Sequence, residues 1–151
     1  MPIPSEWRFH LILPPGHIRE GSAESEFFGA NTPIHQTDVY ESISVTYHGL
    51  VPAVRDGDLP KLRGALERIH KTGFKSRELS AQTSDVHAVY DQLQQSCEAP
   101  VGMSSMGPLL YVVLGADDEG GKQVVRQASV DTSSIYLGAF AGLQSGYTLL
   151  P

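Results

Sequence analysis

The sequence predicts an α+β fold: a split β-α-β plan in which an antiparallel sheet is backed by helices and the first crossover carries extra helices. Three observations lead there. The aromatic and apolar run WRFHLIL, residues 7–13, lies between prolines and reads as a strand that begins and ends abruptly. Residues 22–97 carry apolar side chains at helical spacing. A glycine-serine turn at 102–107 then runs into the apolar stretch LLYVVL, a buried strand.

Each element follows from local chemistry. Beyond Pro14-Pro15-Gly16, a polar loop with His17, Arg19 and Glu20 leads to Ser22, a side chain suited to cap a short helix over 22–28. Glu24 and Glu26 sit near that helix's positive end, and Phe27 and Phe28 are its expected anchors to a core. Val39, Ile43, Tyr47, Leu50 and Val54 predict a core-facing stripe, with a kink or early stop at Gly49 and Pro52. Asp58 is the expected cap of the next helix, whose apolar face is Leu59, Leu62, Leu66 and Ile69, and Gly73 is its expected terminator after a basic last turn. Thr83 or Ser84 caps a further helix with Val86, Val89, Tyr90, Leu93 and Cys97 inward, closed by Pro100. Residues 122–130 are expected to be helical with Val124, Val125 and Ala128 inward, and 135–140 to form the last strand. The tail after Gly142 is weakly patterned.

At 151 residues, with 40% hydrophobic and 19% charged positions, the chain can bury one core and is too short for two full domains, so a single domain over 1–151 is expected. A net charge of -6 without any lysine-arginine cluster excludes a nucleic-acid scaffold, which must neutralise a phosphate backbone. The single cysteine, Cys97, has no intrachain partner for a disulfide and reads as a small buried apolar residue in a reducing compartment. No apolar run approaches the roughly 20 residues that span a bilayer, and residues 1–8 lack the basic and apolar regions of a signal peptide. A cytoplasmic location is expected, with no membrane partner.

Two segments have a physical route to binding. In the turn, successive backbone N–H groups between Gly102 and Gly107 can form a concavity for a phosphate or carboxylate, with Ser104 and Ser105 adding hydroxyl donors. The alternative is a hairpin that uses glycine for its dihedrals and serine for local hydrogen bonds. In the loop before the first helix, His17, Arg19, Glu20 and Ser22 combine a cation, a base and a helix N-terminus, which suits an anionic substrate or simply a solvated connection. The six histidines have no i, i+4 pairing on one helix face, and no cysteine or carboxylate completes a zinc set, so no metal site is expected. His35 with Asp38 is the one nearby pair suited to a substrate or a metal-bound water. The serine pair leads into a strand and lacks the G-x-S-x-G elbow of a hydrolase, and neither G-x-x-x-x-G-K-[ST] nor G-x-G-x-x-G occurs.

The stretch GMSSMGPLLYVV resembles the third motif of GHMP-superfamily proteins, in the form with a serine pair followed by Gly-Pro and an aromatic strand that typifies beta-ribofuranosylaminobenzene 5'-phosphate synthases. EWRFHLILP with the following Gly-Ser-x-Glu-x-Glu helix start resembles the first strand and helix of that family's C-terminal domain, and LVPAVRDGDLPKLRGALERI resembles its helical pair. The three matches occur in the family's order. The resemblance implies a ferredoxin-like split βαβ sandwich and a condensation of phosphoribosyl pyrophosphate with a 4-aminobenzoate-type acid in tetrahydromethanopterin biosynthesis, releasing pyrophosphate and carbon dioxide. Magnesium is the ion it implies, helping pyrophosphate leave. Gly102, Ser104, Ser105 and Gly107 are the positions it places against the active-site cleft, with the Gly21, Ser22, Glu24 helix start approaching the same cleft. It further implies an N-terminal phosphate-loop domain, which these 151 residues do not include, and therefore a partner polypeptide.

Two other readings remain open. The first alternative is a free-standing, non-catalytic module that binds a metabolite or forms a homodimer through its sheet. The second is the C-terminal half of an ATP-dependent small-molecule kinase.

Overall fold

The computed structural model describes residues 2–15 and 21–142. The loop with His17, Arg19 and Glu20 and the tail after Gly142 lie outside the described residues.

Four strands form one sheet: β1 (Trp7–Leu13), β2 (Val101–Met103), β3 (Leu110–Gly115) and β4 (Ile135–Ala141). Their order is β2-β3-β1-β4. Every neighbouring pair is antiparallel. This is the split β-α-β topology expected from the sequence, with seven helices among the described residues, six of them in the first crossover. The register is set around the middle of β1, where His10 pairs with Val112 on one side and Ala139 on the other. Between Leu11 and Ile12 the β1–β4 register slips by one residue, opposite Gly138 with its φ of 118°.

Alternation along the strands divides the core in two. Ile12, Leu110, Val112 and Leu114 face Val86, Val89 and Leu93 of α6 (Ser84–Ser96) and Val125 and Ala128 of α7 (Glu119–Asp131). On the opposite face, Trp7 and Val113 pack with Ala53 of α3 (Val51–Asp56) and with Leu62 and Leu66 of α4 (Leu59–Ile69). Each fully buried aliphatic side chain contributes about 1.5–3 kcal/mol, and the two clusters together fix the sheet between two helical layers. Asp58 caps α4 as expected, its Oδ1 accepting from the Lys61 N–H at 2.8 Å, and Thr83 caps α6 through Val86 N–H at 3.4 Å.

Four local expectations are corrected. Ser22 is the first residue of α1 (Ser22–Asn31) rather than its cap; Gly21 holds that position in a left-handed conformation, and the helix runs three residues past Phe28. The second helical run does not stop at Gly49 or Pro52. Instead α2 (Gln36–Val45) passes through a π turn (Thr46–Leu50) directly into α3, with Pro52 as its second residue. The extra residue of the π turn shifts the phase of the helix, so Leu50 and Val54 reach the sheet while Val39, Ile43 and Tyr47 look outward. Gly73 does not end the chain's helical run but opens α5 (Gly73–Ser80), a helix without an apolar stripe. Finally, Gly102 lies in β2 and not in the turn.

Candidate functional site

The site is built around the connection from β2 to β3. Gly102 is needed in β2 because the Tyr111 ring of β3 lies across it and would collide with any Cβ. The turn itself closes on Ser104, whose N–H donates to Leu109 O at 2.9 Å and whose carbonyl accepts from Gly107 N–H at 3.1 Å. Met106 and Gly107 both lie in the left-handed region, with φ of 60° and 61°, and the Gly107–Pro108 peptide is cis. At Gly107 a Cβ would also meet the Gln82 amide at 2.8 Å.

Two flanking helices hold this turn. From α5, the Glu78 carboxylate accepts from Met106 N–H at 3.0 Å through Oε1 and pairs with Lys75 Nζ at 2.9 Å through Oε2. Lys75 Nζ also donates to Ser104 O at 3.0 Å. Just beyond α5, Gln82 Nε2 donates to Met106 O at 3.1 Å. From the end of α4, the buried His70 accepts from Met103 N–H at 3.4 Å through Nε2 and meets the Tyr90 hydroxyl at 3.0 Å through Nδ1. Accepting at Nε2 requires the neutral imidazole with its proton on Nδ1. Burial, assisted by the Lys75 cation, pushes the His70 pKa down to about 4, which keeps it in that form.

The expected site residues therefore separate. Gly102 and Gly107 shape the backbone. Of the turn's amides, those of Met103, Ser104, Met106 and Gly107 are already bonded within the protein. Ser105 is exposed and Ser104 half-buried; the Ser105 N–H and both serine hydroxyls make no hydrogen bond among the described residues, which leaves three donors without a partner there. Ser22 and Glu24 make no hydrogen bond or ion pair to the turn among the described residues. Their helix is nonetheless tied to α5, since Phe27 meets Phe74 edge to face and Phe28 stacks on it, with ring centroids 5.6 and 5.0 Å apart, and Asn31 O accepts from Arg77 Nη1 at 2.9 Å. His35 and Asp38 have local partners: the His35 ring caps α2 at Thr37, and Asp38 lies 3.7 Å from Arg77.

Lys75, Glu78 and Gln82 were not foreseen from the sequence. Their spacing places them on one helical side, a signal indistinguishable from an ordinary solvated face. Among the described residues, no three His, Cys, Asp or Glu side chains lie together as metal ligands. No helix of the described residues is long and apolar enough to cross a membrane.

Together, the sheet order and the helices packed on it make a ferredoxin-like α+β domain. The fold is shared with homoserine kinase from Cytophaga hutchinsonii (TM-score 0.68, 13% identity, covering 95% of this chain and 44% of the kinase). Phosphomevalonate kinase from Streptococcus pneumoniae gives the same picture (TM-score 0.68, 14% identity, 93% of this chain and 42% of the kinase). No family model matches the sequence. In sequence, the chain is similar to beta-ribofuranosylphenol 5'-phosphate synthases: 28% identical over 121 residues to that of Archaeoglobus fulgidus, and 28% over 106 residues to that of Methanocaldococcus jannaschii. These matches take in 80% and 70% of this chain but only 37% and 32% of the synthases, so the chain spans about a third of the length of the relatives it matches. The resemblance carried by the glycine-serine motif is thus borne out in both sequence and fold.

Proposed function

We propose that this chain is the C-terminal half of a synthase that condenses phosphoribosyl pyrophosphate with a para-substituted benzoate, releasing pyrophosphate and carbon dioxide, in tetrahydromethanopterin biosynthesis. The observation that carries the reading is the sequence similarity to beta-ribofuranosylphenol 5'-phosphate synthases over 80% of the chain. The acid is 4-aminobenzoate on the motif's closest family resemblance, and a 4-hydroxy counterpart on the phenol in the relatives' name. In this reading the Ser105 amide and the Ser104 and Ser105 hydroxyls are donors for a phosphate or diphosphate of the substrate.

A companion half carrying the phosphate loop completes the site. Support for it comes from α2 and α3, where Val39, Ile43, Tyr47 and Val51 recur every four residues on an exposed side, with Tyr40 beside them. Tyr40 and Tyr47 are 61% and 66% exposed, which is unusual for an apolar stripe that has no role in contact. The relatives are longer than this chain, which covers 37% of the Archaeoglobus fulgidus synthase, and their additional length leaves room for such a domain. Magnesium, which the resemblance brings with it, does not fit the residues of this half: the turn offers donors, and the described residues hold no ligand cluster.

The test is to combine the chain with a phosphate-loop half and follow pyrophosphate and carbon dioxide from phosphoribosyl pyrophosphate and each benzoate. Release of both with one benzoate is the expected result. A folded, associated pair that releases neither would remove the reading, and phosphoryl transfer from ATP to a small alcohol would replace it with the kinase alternative.

A further inference from the structure

We propose that Glu78 is a positioning residue for the 104–107 turn, holding it in the conformation that turns the Ser105 amide and the two serine hydroxyls outward as donors for a phosphate or diphosphate group. The ligand class rests on the function proposed above; the positioning rests on the geometry alone.

Glu78 is 4% exposed, and both of its carboxylate oxygens are used, Oε1 by the Met106 N–H and Oε2 by Lys75. Met106 is itself buried, so without that oxygen its N–H would be an unpaired donor out of reach of water. The turn needs the support. A non-glycine residue in the left-handed region is held there only by its surroundings, and Met106, next to the left-handed Gly107, is such a residue. Around them three side chains grip the turn: Lys75 at Ser104 O, Glu78 at Met106 N–H and Gln82 at Met106 O.

The charge arrangement points the same way. A buried ion pair is close to neutral for stability when set against a well-packed apolar alternative. What the Lys75–Glu78 pair does here is geometric. The carboxylate already occupies Met106 N–H, so within residues 104–107 an incoming anion is directed to the amide that remains, that of Ser105. Lys75 offsets the carboxylate's charge at 2.9 Å, so the anion is not repelled by an isolated negative group beneath the turn.

The experiment titrates inorganic pyrophosphate into the chain and follows the backbone amide signals of Ser104, Ser105 and Met106, comparing wild type with Glu78→Ala, Glu78→Gln and Gln82→Ala. Glutamine keeps an acceptor for Met106 N–H, and alanine does not. Expected are binding weakened at least about tenfold by Glu78→Ala, near-normal binding by Glu78→Gln, and a smaller loss by Gln82→Ala, all with cooperative melting. Wild-type-like binding by Glu78→Ala, or equal losses from alanine and glutamine, overturns the proposal. Should Glu78→Ala fail to fold, Gln82→Ala decides: unchanged binding overturns. If wild type binds no pyrophosphate, the anion reading falls by itself. Hydrogen exchange at Met106 then decides the positioning, which stands if Glu78→Ala speeds that amide relative to those of β3 while Glu78→Gln does not, and falls if all three exchange alike.

Discussion

His70 Nε2 lies 3.4 Å from the Met103 N–H, so the strand that leads into the glycine-serine turn is hydrogen-bonded to an imidazole that must stay neutral to accept. The folded pKa of about 4 lies below the ordinary histidine value of 6.5, and the unfolded chain therefore takes up the proton first as acid is added. The contribution is fully present above pH 6.5 and is lost as pH falls toward 4, amounting to about 3 kcal/mol at roughly 1.4 kcal/mol per unit. His10, pushed down chiefly by burial, acts in the same direction. Urea midpoints measured across this window should fall steadily in the wild type and less steeply in His70→Gln. Parallel slopes in the two proteins would assign the loss elsewhere.

Gly102 and Tyr111 make a second testable pair. Gly102→Ala places a methyl group inside the Tyr111 ring and should destabilise by about 1–3 kcal/mol. Tyr111→Leu in the same chain should recover much of that loss, so a double-mutant cycle returns a favourable coupling. Additive losses would mean that the ring moves aside freely.

For the core, Leu93 of α6 is fully buried beneath the sheet, and Leu93→Ala should cost about 2–5 kcal/mol in equilibrium unfolding. Asp58→Ala removes the α4 cap and should cost about 1 kcal/mol. A loss at Asp58 as large as that at Leu93 would show that the capped turn also carries tertiary contacts.

The outward stripe predicts an opposite pattern. Ile43→Ser with Tyr47→Ser should change the stability of the chain alone by no more than about 0.5 kcal/mol, because both side chains are already exposed. The same variant should lose affinity for a phosphate-loop half in sedimentation or calorimetry. Undiminished affinity would place the docking surface elsewhere.

Much of this architecture is visible in local sequence. Prolines and alternation bound β1 at the residues the strand occupies, and the α6 stripe of Val86, Val89 and Leu93 is buried as its spacing requires. The π turn was hidden, since its single added residue leaves the apolar spacing intact on paper while rotating Val39, Ile43 and Tyr47 away from the sheet. α5 was hidden because Gly73, with a φ of 52°, looks like a stop, and because Lys75 and Glu78 look like solvated charges. The same two residues explain the unequal legibility of the site. Its turn is announced by glycine and serine, but the groups that clamp it come from 28 and 29 residues upstream and meet it only once the tertiary fold has formed.

The most direct measurement is turnover by the chain combined with a phosphate-loop half, comparing wild type with the double variant Ser104→Ala and Ser105→Ala. The account predicts that the variant still forms the complex and melts normally but loses roughly a hundredfold in product formation, as expected for removing donors aimed at substrate charge. Undiminished turnover by the double variant would contradict it.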